Sequence, residues 1–322
     1  MTDQGVLPPA ASLPAPKAGW RATATDRLTD AGFAAGWRAV RMLPEPWARG
    51  AFDAVARRAA TRDGKGTRQL RANLRVVTGD RLSEPELAEL TRAALSSYAR
   101  YWQEAFRLPT LGGARIVRDT TVPGIEHLEK ARADGRPVIL ALPHSGNWDA
   151  AGVWFIDWLG GPFMTVAERL RPESLYRRFL DYRESLGMRV VPLTGGERPS
   201  SAVLREWLDG DRSVCLLMDR DLGASGVPVT FFGRPTTMPG GPALLAAQTG
   251  ASLHPVVCQF TDGGWRLVVH PEVPMDDGSR LRDRVAGATQ AVADAFTATI
   301  AQRPVDWHML GRIWADVGPD PR

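Results

Sequence analysis

The chain has 322 residues, of which 44% are hydrophobic and 24% are charged, and its formal net charge is +4 at pH 7. A chain of this length and composition can bury one large core or two modest ones, which excludes disorder of the whole chain. No run approaches the ~20 apolar residues that a membrane-spanning helix needs. The best candidate, residues 150–164, is short and contains Asp157. We therefore expect a folded protein that does not span a bilayer.

The start of the chain is rich in Pro and Ala and lacks the basic-then-apolar pattern of a signal peptide. Residues 1–24 are therefore predicted to form a flexible leader. Both cysteines, Cys215 and Cys258, lie inside apolar runs, which favours buried, reduced thiols. We expect the protein to remain in the cytoplasm, a reducing compartment.

The next segment, residues 25–114, is predicted to be a basic, amphipathic helical region. Residues 1–118 contain 19 Lys and Arg against 11 Asp and Glu, whereas residues 119–322 contain 21 against 25. Apolar residues recur at helical spacing on both sides of the break at Pro44 and Pro46. They are Phe33, Trp37, Val40 and Leu43 before the break, and Trp47, Phe52 and Val55 after it. This pattern indicates a helical hairpin.

Tryptophans beside arginines suit the headgroup boundary of an anionic bilayer, where rings enter the acyl edge and guanidinium groups meet phosphates. We therefore expect this region to dock the protein peripherally on the cytoplasmic face of the cell membrane. Packing of the same face against the rest of the chain is the alternative. No recognisable nucleic-acid-binding motif or aromatic platform accompanies the charge, so no nucleic-acid partner is expected.

From about residue 115 onward, short β-rich runs alternate with helical stretches, the pattern of an α/β domain. The predicted strands are residues 138–142, 190–193, 214–218, 229–232, 253–260 and 265–270. The predicted helices are residues 146–159, 172–186, 200–208 and 242–250. Without an internal repeat, residues 115–322 are expected to form one α/β domain. Its central, mostly parallel mixed sheet would be flanked by helices and would carry the chemistry at the carboxyl ends of its strands.

The first strand-end loop, residues 142–149, is the strongest candidate site. An imidazole at the end of a strand, here His144, can accept a proton from an attacking hydroxyl near neutral pH. A carboxylate five residues later, Asp149, can orient the ring. Gly146 permits a tight turn, and the following helix N-terminus offers N–H groups to an oxyanion or a phosphate. A purely structural histidine is the alternative on these residues alone.

The spacing His144-x4-Asp149 after an apolar strand resembles the signature of the glycerophosphate and lysophospholipid acyltransferase superfamily. Later blocks resemble the late lipid A acyltransferases: residues 218–221, 227–235, 241–250 and 254–256. Within that group, residues 191–197, 219–222 and 263–265 most resemble the phosphatidylinositol mannoside acyltransferases of actinobacteria. The resemblance covers residues 25–315 and implies the glycerophosphate acyltransferase-like fold.

The resemblance also implies roles for individual residues. His144 would be the general base, Asp149 its orienting partner, and Asp219 a third catalytic residue that orients or stabilises charge, where that branch has Glu. A second group would bind substrate, because guanidinium groups suit a phosphodiester and a Phe-Phe-Gly turn would lie at the mouth of an acyl groove. This group comprises Arg169, Arg178, Arg183, Arg220, Phe231, Phe232, Gly233 and Arg234. A solvated helix face for the arginines and a buried Phe pair are the alternatives.

Apolar residues after His144 predict the acyl groove itself, with core packing of the same rings as the alternative. They are Trp148, Trp154, Phe155, Trp158 and Phe163.

The implied reaction is direct transfer of an acyl chain from acyl-CoA to a sugar hydroxyl of a glycosylated phosphatidylinositol, without an acyl-enzyme. It needs no metal and no resident cofactor, since acyl-CoA is a co-substrate. The chain lacks His-Glu-x-x-His, Cys-x-x-Cys, nucleotide-loop and Gly-x-Ser-x-Gly motifs. Two alternatives stay open. The first is a related glycolipid or lysophospholipid acyltransferase of the lipid A lauroyl-transferase type, with acyl carrier protein as an alternative donor. The second is a catalytically silent protein that only docks on anionic membranes.

Overall fold

The computed structural model describes Gly32 and residues 35–169, 173–221, 223, 226–276 and 278–319. The predicted leader and Phe33 lie outside these residues. The helices are α1 (residues 35–42), α2 (Glu45–Arg62), α3 (Lys65–Val77), α4 (Glu84–Leu111), α5 (Gly113–Arg118), α6 (Ile125–Ala133), α7 (Trp148–Leu159), α8 (Glu173–Ser185), α9 (Ser200–Asp209), α10 (Gly241–Thr249) and α11 (Leu281–Gln302). The strands are β1 (Thr120–Thr121), β2 (Val138–Leu142), β3 (Met164–Ala167), β4 (Arg189–Pro192), β5 (Val214–Leu217), β6 (Val227–Phe231), β7 (Arg234–Met238), β8 (Ser252–Phe260) and β9 (Trp265–Val269).

A seven-stranded sheet organises the described chain, in the order β1-β9-β8-β2-β5-β3-β4, while β6 and β7 form a separate antiparallel hairpin. Strand β2 pairs in parallel with β5 and β8, and the β8–β9 pair is antiparallel. The predicted α/β class with a mostly parallel mixed sheet is thus confirmed. Leu142 at the end of β2 pairs with Leu217 at the end of β5, so the loops that follow the two strands lie side by side. The strand order changes direction beside β2, where such sheets place their sites.

The central strands are continuous apolar runs because both faces of the sheet are covered. Successive side chains of β2 point to opposite faces, so Leu140 packs in one core cluster with Phe155 while Ile139 packs in the other with Phe296. All nine residues of β8 are buried. The sequence therefore fixes β2 and β8 as interior strands.

The N-terminal helices pack around a third cluster that includes Leu70, Leu74 and Leu87. Helix α4 begins with a capping box in which the backbone N–H of Ser83 donates to Glu86 Oε2 over 2.8 Å. The predicted break between α1 and α2 occurs at Pro44, the N-cap of α2. No helix in the described residues is long and apolar enough to cross a membrane.

The outer face of the first two helices differs from the prediction at one ring. Trp37 is buried, and its ring centroid lies 4.9 Å from Phe106, because α1 packs against α4. The prediction that this tryptophan faces outward with the others is therefore wrong. Met42, Trp47 and Val55 are exposed, with relative accessibilities of 72%, 72% and 67%. An apolar patch remains on α1 and α2, but it excludes Trp37.

Several elements of residues 115–322 were not predicted, among them β1, β3, β7, α6 and α11. Strand β3 is four residues long and directly follows the Gly160–Gly161–Pro162 turn, so its apolar residues merge with those of α7 in the sequence. Helix α11 covers 22 residues and buries Val292 and Phe296 against the sheet. Its Ala- and Thr-rich sequence carries few large apolar residues, which weakens the helical pattern.

Candidate active site

His144 and Asp219 meet where β2 and β5 end. His144 Nδ1 lies 2.6 Å from Asp219 Oδ1, and the backbone N–H of His144 donates to Asp219 Oδ2 over 2.9 Å. A ring nitrogen that faces a carboxylate carries the proton, which leaves the Nε2 lone pair of His144 available as a base. The Asp219 side chain is fully buried, whereas 36% of the His144 side chain is accessible. The arrangement thus places a buried carboxylate behind a partly accessible imidazole, and such a pair can act as a general base.

The Asp219 carboxylate is held ionised by its surroundings. Trp307 Nε1 donates to Asp219 Oδ2 over 2.9 Å, in addition to the two bonds from His144. Burial by itself raises the pKa of the Asp219 carboxyl, but the charge of a protonated His144 and the hydrogen bonds from His144 and Trp307 outweigh it. The pKa therefore lies below its ordinary value, and the carboxylate stabilises an imidazolium on His144.

The indole of Trp307 is itself held in place by aromatic packing. Its ring lies 5.8 Å from Phe231 in an edge-to-face arrangement, and Trp314 Nε1 donates to the Phe231 carbonyl over 3.1 Å. All three of these rings are buried. Phe231 therefore supports the indole that donates to Asp219, which agrees with the alternative of a buried phenylalanine.

The loop after His144 requires a glycine. Gly146 has φ +56°, and a Cβ there would lie 2.7 Å from the carbonyl of Cys258. Asn147 then caps α7, because its Oδ1 accepts from the Ala150 N–H over 3.0 Å while its Nδ2 donates to Glu104 over 2.8 Å. These contacts fix the start of α7 just after the base.

Asp149 does not contact His144 in the described chain. Arg183 Nε donates to Asp149 Oδ1 over 3.1 Å, and the Tyr101 hydroxyl donates to Asp149 Oδ2 over 3.1 Å. The Arg183 guanidinium also lies over the Trp148 ring, 4.2 Å from its centroid. The prediction that Asp149 orients His144 is therefore wrong: helix α7 turns its first carboxylate toward α4 and α8, and Asp219 takes the orienting position. The Arg183 side chain is 13% accessible and is engaged by this ion pair and by the Trp148 ring, so it does not lie on a solvated helix face.

His308 adjoins the base from the C-terminal segment. Its backbone N–H donates to the His144 carbonyl over 2.8 Å, and its Nε2 lies 2.9 Å from Ser97 Oγ, which in turn donates to Asp306 Oδ1 over 2.8 Å. Burial, with a smaller contribution from nearby His144, lowers the pKa of His308 to about 3. A neutral second imidazole therefore lies beside the loop of the base.

The other predicted substrate-binding residues are dispersed. Arg169 forms a two-pronged pair with Glu173, and Arg178 is half-buried on α8. Arg220 is exposed directly after Asp219. Arg234 Nη1 donates to Asp316 over 2.8 Å. Of the predicted arginines, Arg220 is thus the one adjacent in sequence to the catalytic pair.

The predicted Phe-Phe-Gly turn exists. Phe232 and Gly233 have φ +51° and +73° and connect β6 to β7, while Phe231 and Arg234 pair across the hairpin. The positive φ values match the two-residue hairpin turn that suits the twist of the strands.

The five rings predicted to line an acyl groove lie in the core or at its edge. Trp148, Trp154, Phe155 and Phe163 are buried, and Trp158 is half-buried under the Arg132 guanidinium. The cavity bounded by Trp154 and Phe155 measures about 10 Å³, roughly the space of one water. In the described chain these rings pack in the core or at its edge, which agrees with the alternative of core packing.

Sequence reasoning missed Trp307, His308, Ser97 and Tyr101. Trp307 and His308 are adjacent in a short segment after α11, and His308 is one of five histidines in the sequence. An adjacent Trp and His near the C-terminus was a usable signal. Ser97 and Tyr101 carry no signal, because a Ser and a Tyr four residues apart on a helix are common.

Comparison with known proteins places the chain among bacterial acyltransferases. The family model described as bacterial lipid A biosynthesis acyltransferase matches residues 16–316. The chain is 54% identical over 298 residues to a phosphatidylinositol mannoside acyltransferase of Mycolicibacterium smegmatis, covering 92% of this chain and 95% of the relative. It is 51% identical over 306 residues to the protein of that name in Mycobacterium tuberculosis strain H37Rv, covering 94% of each. A lipid A biosynthesis acyltransferase of Haemophilus influenzae is 26% identical over 157 residues, 48% of each chain.

Proposed function

Because this chain belongs to the bacterial lipid A biosynthesis acyltransferase family, it is an acyltransferase, and we propose that it transfers a fatty acyl chain from acyl-CoA to a sugar hydroxyl of a phosphatidylinositol mannoside. We further propose that His144 is the general base. The observation that carries this role is the 2.6 Å contact between His144 Nδ1 and the buried carboxylate of Asp219. It leaves the proton off Nε2 in the neutral imidazole, on a side chain that is 36% accessible at the carboxyl edge of the sheet.

In the proposed reaction, the acceptor hydroxyl gives its proton to His144 Nε2 as its oxygen attacks the thioester carbonyl. The Asp219 carboxylate stabilises the imidazolium that forms, since opposite charges in a buried site interact more strongly than in water. When the tetrahedral intermediate collapses, the new ester C–O bond remains and the C–S bond breaks. The imidazolium returns its proton to the leaving thiolate, so the base is regenerated without an acyl-enzyme.

The oxyanion of that intermediate needs hydrogen-bond donors. The N-terminus of α7 begins four residues after His144, and Asn147 caps its third N–H rather than its first. The first N–H groups of a helix attract negative charge through their own dipoles and the helix dipole. We assign the oxyanion to this turn.

The acceptor follows from the relatives, whose names specify phosphatidylinositol mannoside and which share 51–54% of their residues with this chain over nearly its full length. The choice of a thioester donor is supported by the chemistry, because a thioester is already activated and direct attack by a hydroxyl then needs mainly a base, an oxyanion donor and positioning. Acyl carrier protein carries the same thioester, so the donor requires a direct comparison.

We also propose that the protein binds peripherally to the cytoplasmic face of the cell membrane. Met42, Trp47 and Val55 are exposed on α1 and α2. Arg58 and Arg62 are exposed on α2 and follow Val55 at spacings that keep them near its apolar face. Exposed rings beside guanidinium groups suit an anionic interface.

The test is a product analysis. The purified full chain is incubated with palmitoyl-CoA and phosphatidylinositol mannosides in anionic vesicles, and lipids are resolved by mass spectrometry. The proposal expects a product heavier by one acyl group and stoichiometric free CoA. Parallel reactions with palmitoyl acyl carrier protein identify the donor. Release of CoA without an acylated lipid, or acylation of a different lipid class in a mixed extract, would overturn the assigned acceptor.

A further inference from the structure

A cavity of about 270 Å³ with both apolar and polar lining lies between α2, α4 and the turn that follows α11. Its lining includes Phe52 and Asp53 from α2, Ser96 and Gln103 from α4, and Arg303. A second cavity of about 120 Å³ shares Arg49, Arg100 and Gln103 with the first. Together they form a continuous cleft beneath the first helices, which the proposed reaction does not use.

The cleft exists because the side chains on one face of α4 are small. Ala93, Ser96 and Ser97 follow one another at helical spacing and all line the larger cavity. Larger side chains there would fill the gap to α2, as the leucines of the neighbouring cluster do. The next residues on the same face are Arg100 and Gln103, so the space ends on polar groups rather than on apolar ones.

Gln103 points to a ligand. Its side chain is 97% buried, at 3% relative accessibility, and lines both cavities. Within the part of the chain that the structure describes, its amide has no hydrogen-bond partner. An amide that opens onto a cavity can take its hydrogen bonds from a bound ligand or from water. Ser96, about two turns earlier on the same face of α4, likewise has no side-chain hydrogen bond to another described residue.

Guanidinium groups at the rim of the cleft can bind an anion, and four carboxylates line the same two cavities: Asp53, Asp306, Glu45 and Glu104. Arg49 reaches Glu45 through one nitrogen at 3.4 Å, and Arg303 reaches Asp306 through Nε at 2.6 Å. Both side chains are about half accessible, at 52% and 46%. Their other guanidinium nitrogens can therefore turn toward a phosphate, for which the planar fork is well suited. Asp53 adds an acceptor for hydroxyl groups.

The position of the cleft favours the lipid acceptor over the donor. One wall, the Ser97–Asp306 contact, also holds His308, whose backbone donates to the loop of the base. On α2, the residues that line the cleft fall on the side opposite Trp47 and Val55, which are exposed. The cleft therefore lies on the protein side of α2, between that helix and the segment that contacts the His144 loop.

We propose that this cleft binds the phosphorylated polyol headgroup of the acceptor lipid. The phosphate would lie between Arg49 and Arg303, and ring hydroxyls would pair with Gln103, Ser96 and Asp53. The proposal rests on the proposed acyltransferase function and adds where the acceptor is held. The ribose phosphate of CoA shares this chemistry, so the test separates the two sources.

Binding of myo-inositol 1-phosphate to the full chain is measured by calorimetry for wild type, Gln103→Leu and Arg49→Gln. The matched control is Arg92→Gln, an exposed arginine on α4 outside the cleft. Loss of one hydrogen bond to a charged or polyol ligand should weaken binding about tenfold. Arg92→Gln should bind as wild type does. If Gln103→Leu fails to fold, the rim variant Arg49→Gln still gives the answer.

The kinetic arm measures KM for the acceptor and for acyl-CoA separately. We expect the cleft variants to raise the acceptor KM about tenfold and to leave the acyl-CoA KM unchanged. A raised acyl-CoA KM instead would assign the cleft to the donor and overturn the proposal, as would wild-type binding in both variants. Because calorimetry needs no turnover, a wild-type enzyme that yields no acylated lipid yet binds inositol phosphate through these residues would refute the proposed function alone.

Discussion

Replacing Asp219 with Asn tests whether the buried carboxylate makes His144 a base. The carboxylate accepts hydrogen bonds from the His144 ring, the His144 backbone and Trp307. An amide keeps one oxygen, and the backbone N–H and the indole already share Oδ2. Its NH2 group would therefore face His144 Nδ1, which forces the imidazole proton onto Nε2. The lone pair would then point at Asn rather than at the substrate.

The expected loss is large and specific. A wrong tautomer together with a missing counter-charge lowers kcat by about 10³- to 10⁴-fold, which corresponds to roughly 4–5.5 kcal/mol of transition-state stabilisation. The acceptor KM should change little, because Asp219 is buried behind the ring and faces no substrate. Replacing a carboxylate bonded to three N–H groups should also lower the free energy of unfolding by about 1–3 kcal/mol.

The assay combines steady-state kinetics, urea unfolding and ¹⁵N spectra of the His144 ring, which report the tautomer. Asp209→Asn is the matched control, since this carboxylate is exposed at the end of α9 and should leave kcat unchanged. If Asp219→Asn folds and retains kcat within about tenfold of wild type, the tautomer argument fails.

Three further predictions concern stability and membrane binding. Asp149→Ala leaves the Arg183 guanidinium without its carboxylate and should lower the free energy of unfolding by about 3–5 kcal/mol in urea titrations. The double variant Asp149→Leu with Arg183→Met should recover much of that stability. An equal loss of stability in the single and the double variant would contradict the ion pair. Because the pKa of His308 falls from 6.5 to about 3 on folding, the unfolded chain binds the proton more tightly between those values. Stability should therefore decrease as pH falls below 6.5, by at most about 1.4 kcal/mol per pH unit, and His308→Gln should flatten the slope; an identical slope in both proteins would refute the assignment. Trp47→Ser with Val55→Ser should reduce flotation with anionic vesicles, and wild-type flotation should weaken at high salt; binding indifferent to both changes would argue against docking through α2.

The sequence predicted those parts of the fold that depend on local pattern. The buried strands β2, β5 and β8 are apolar runs bounded by polar turns, so their positions and type were readable. Strand β3 was not, because four residues beside an apolar helix carry no period of their own. Trp37 has the same local pattern as Trp47, and only the packing of α1 on α4 separates a buried ring from an exposed one.

The site was predictable as a set of residues but not as a network. His144 and Asp219 were both named, yet the spacing of five residues made Asp149 seem the partner of the base. Pairing of Leu142 with Leu217 brings Asp219 to His144, and that register is not visible in a single sequence. The same limit applies to Trp307, which reaches Asp219 from 88 residues away. Contacts between strand ends join residues that are far apart in sequence. Residue types therefore indicate the chemistry, whereas the strand pairing of the sheet determines which residues contact each other.

The role of His144 as general base is tested most directly by His144→Ala, assayed by mass spectrometry of the acylated lipid with and without added imidazole. Loss of a positioned base should lower transfer by about 10²- to 10⁴-fold. Acyl-CoA binding should stay close to wild type, while the free energy of unfolding should fall by about 1–3 kcal/mol because the buried Asp219 carboxylate loses its ring partner. Free imidazole should restore part of the rate to the variant and none to wild type. A folded His144→Ala protein that transfers acyl chains at the wild-type rate would contradict the account.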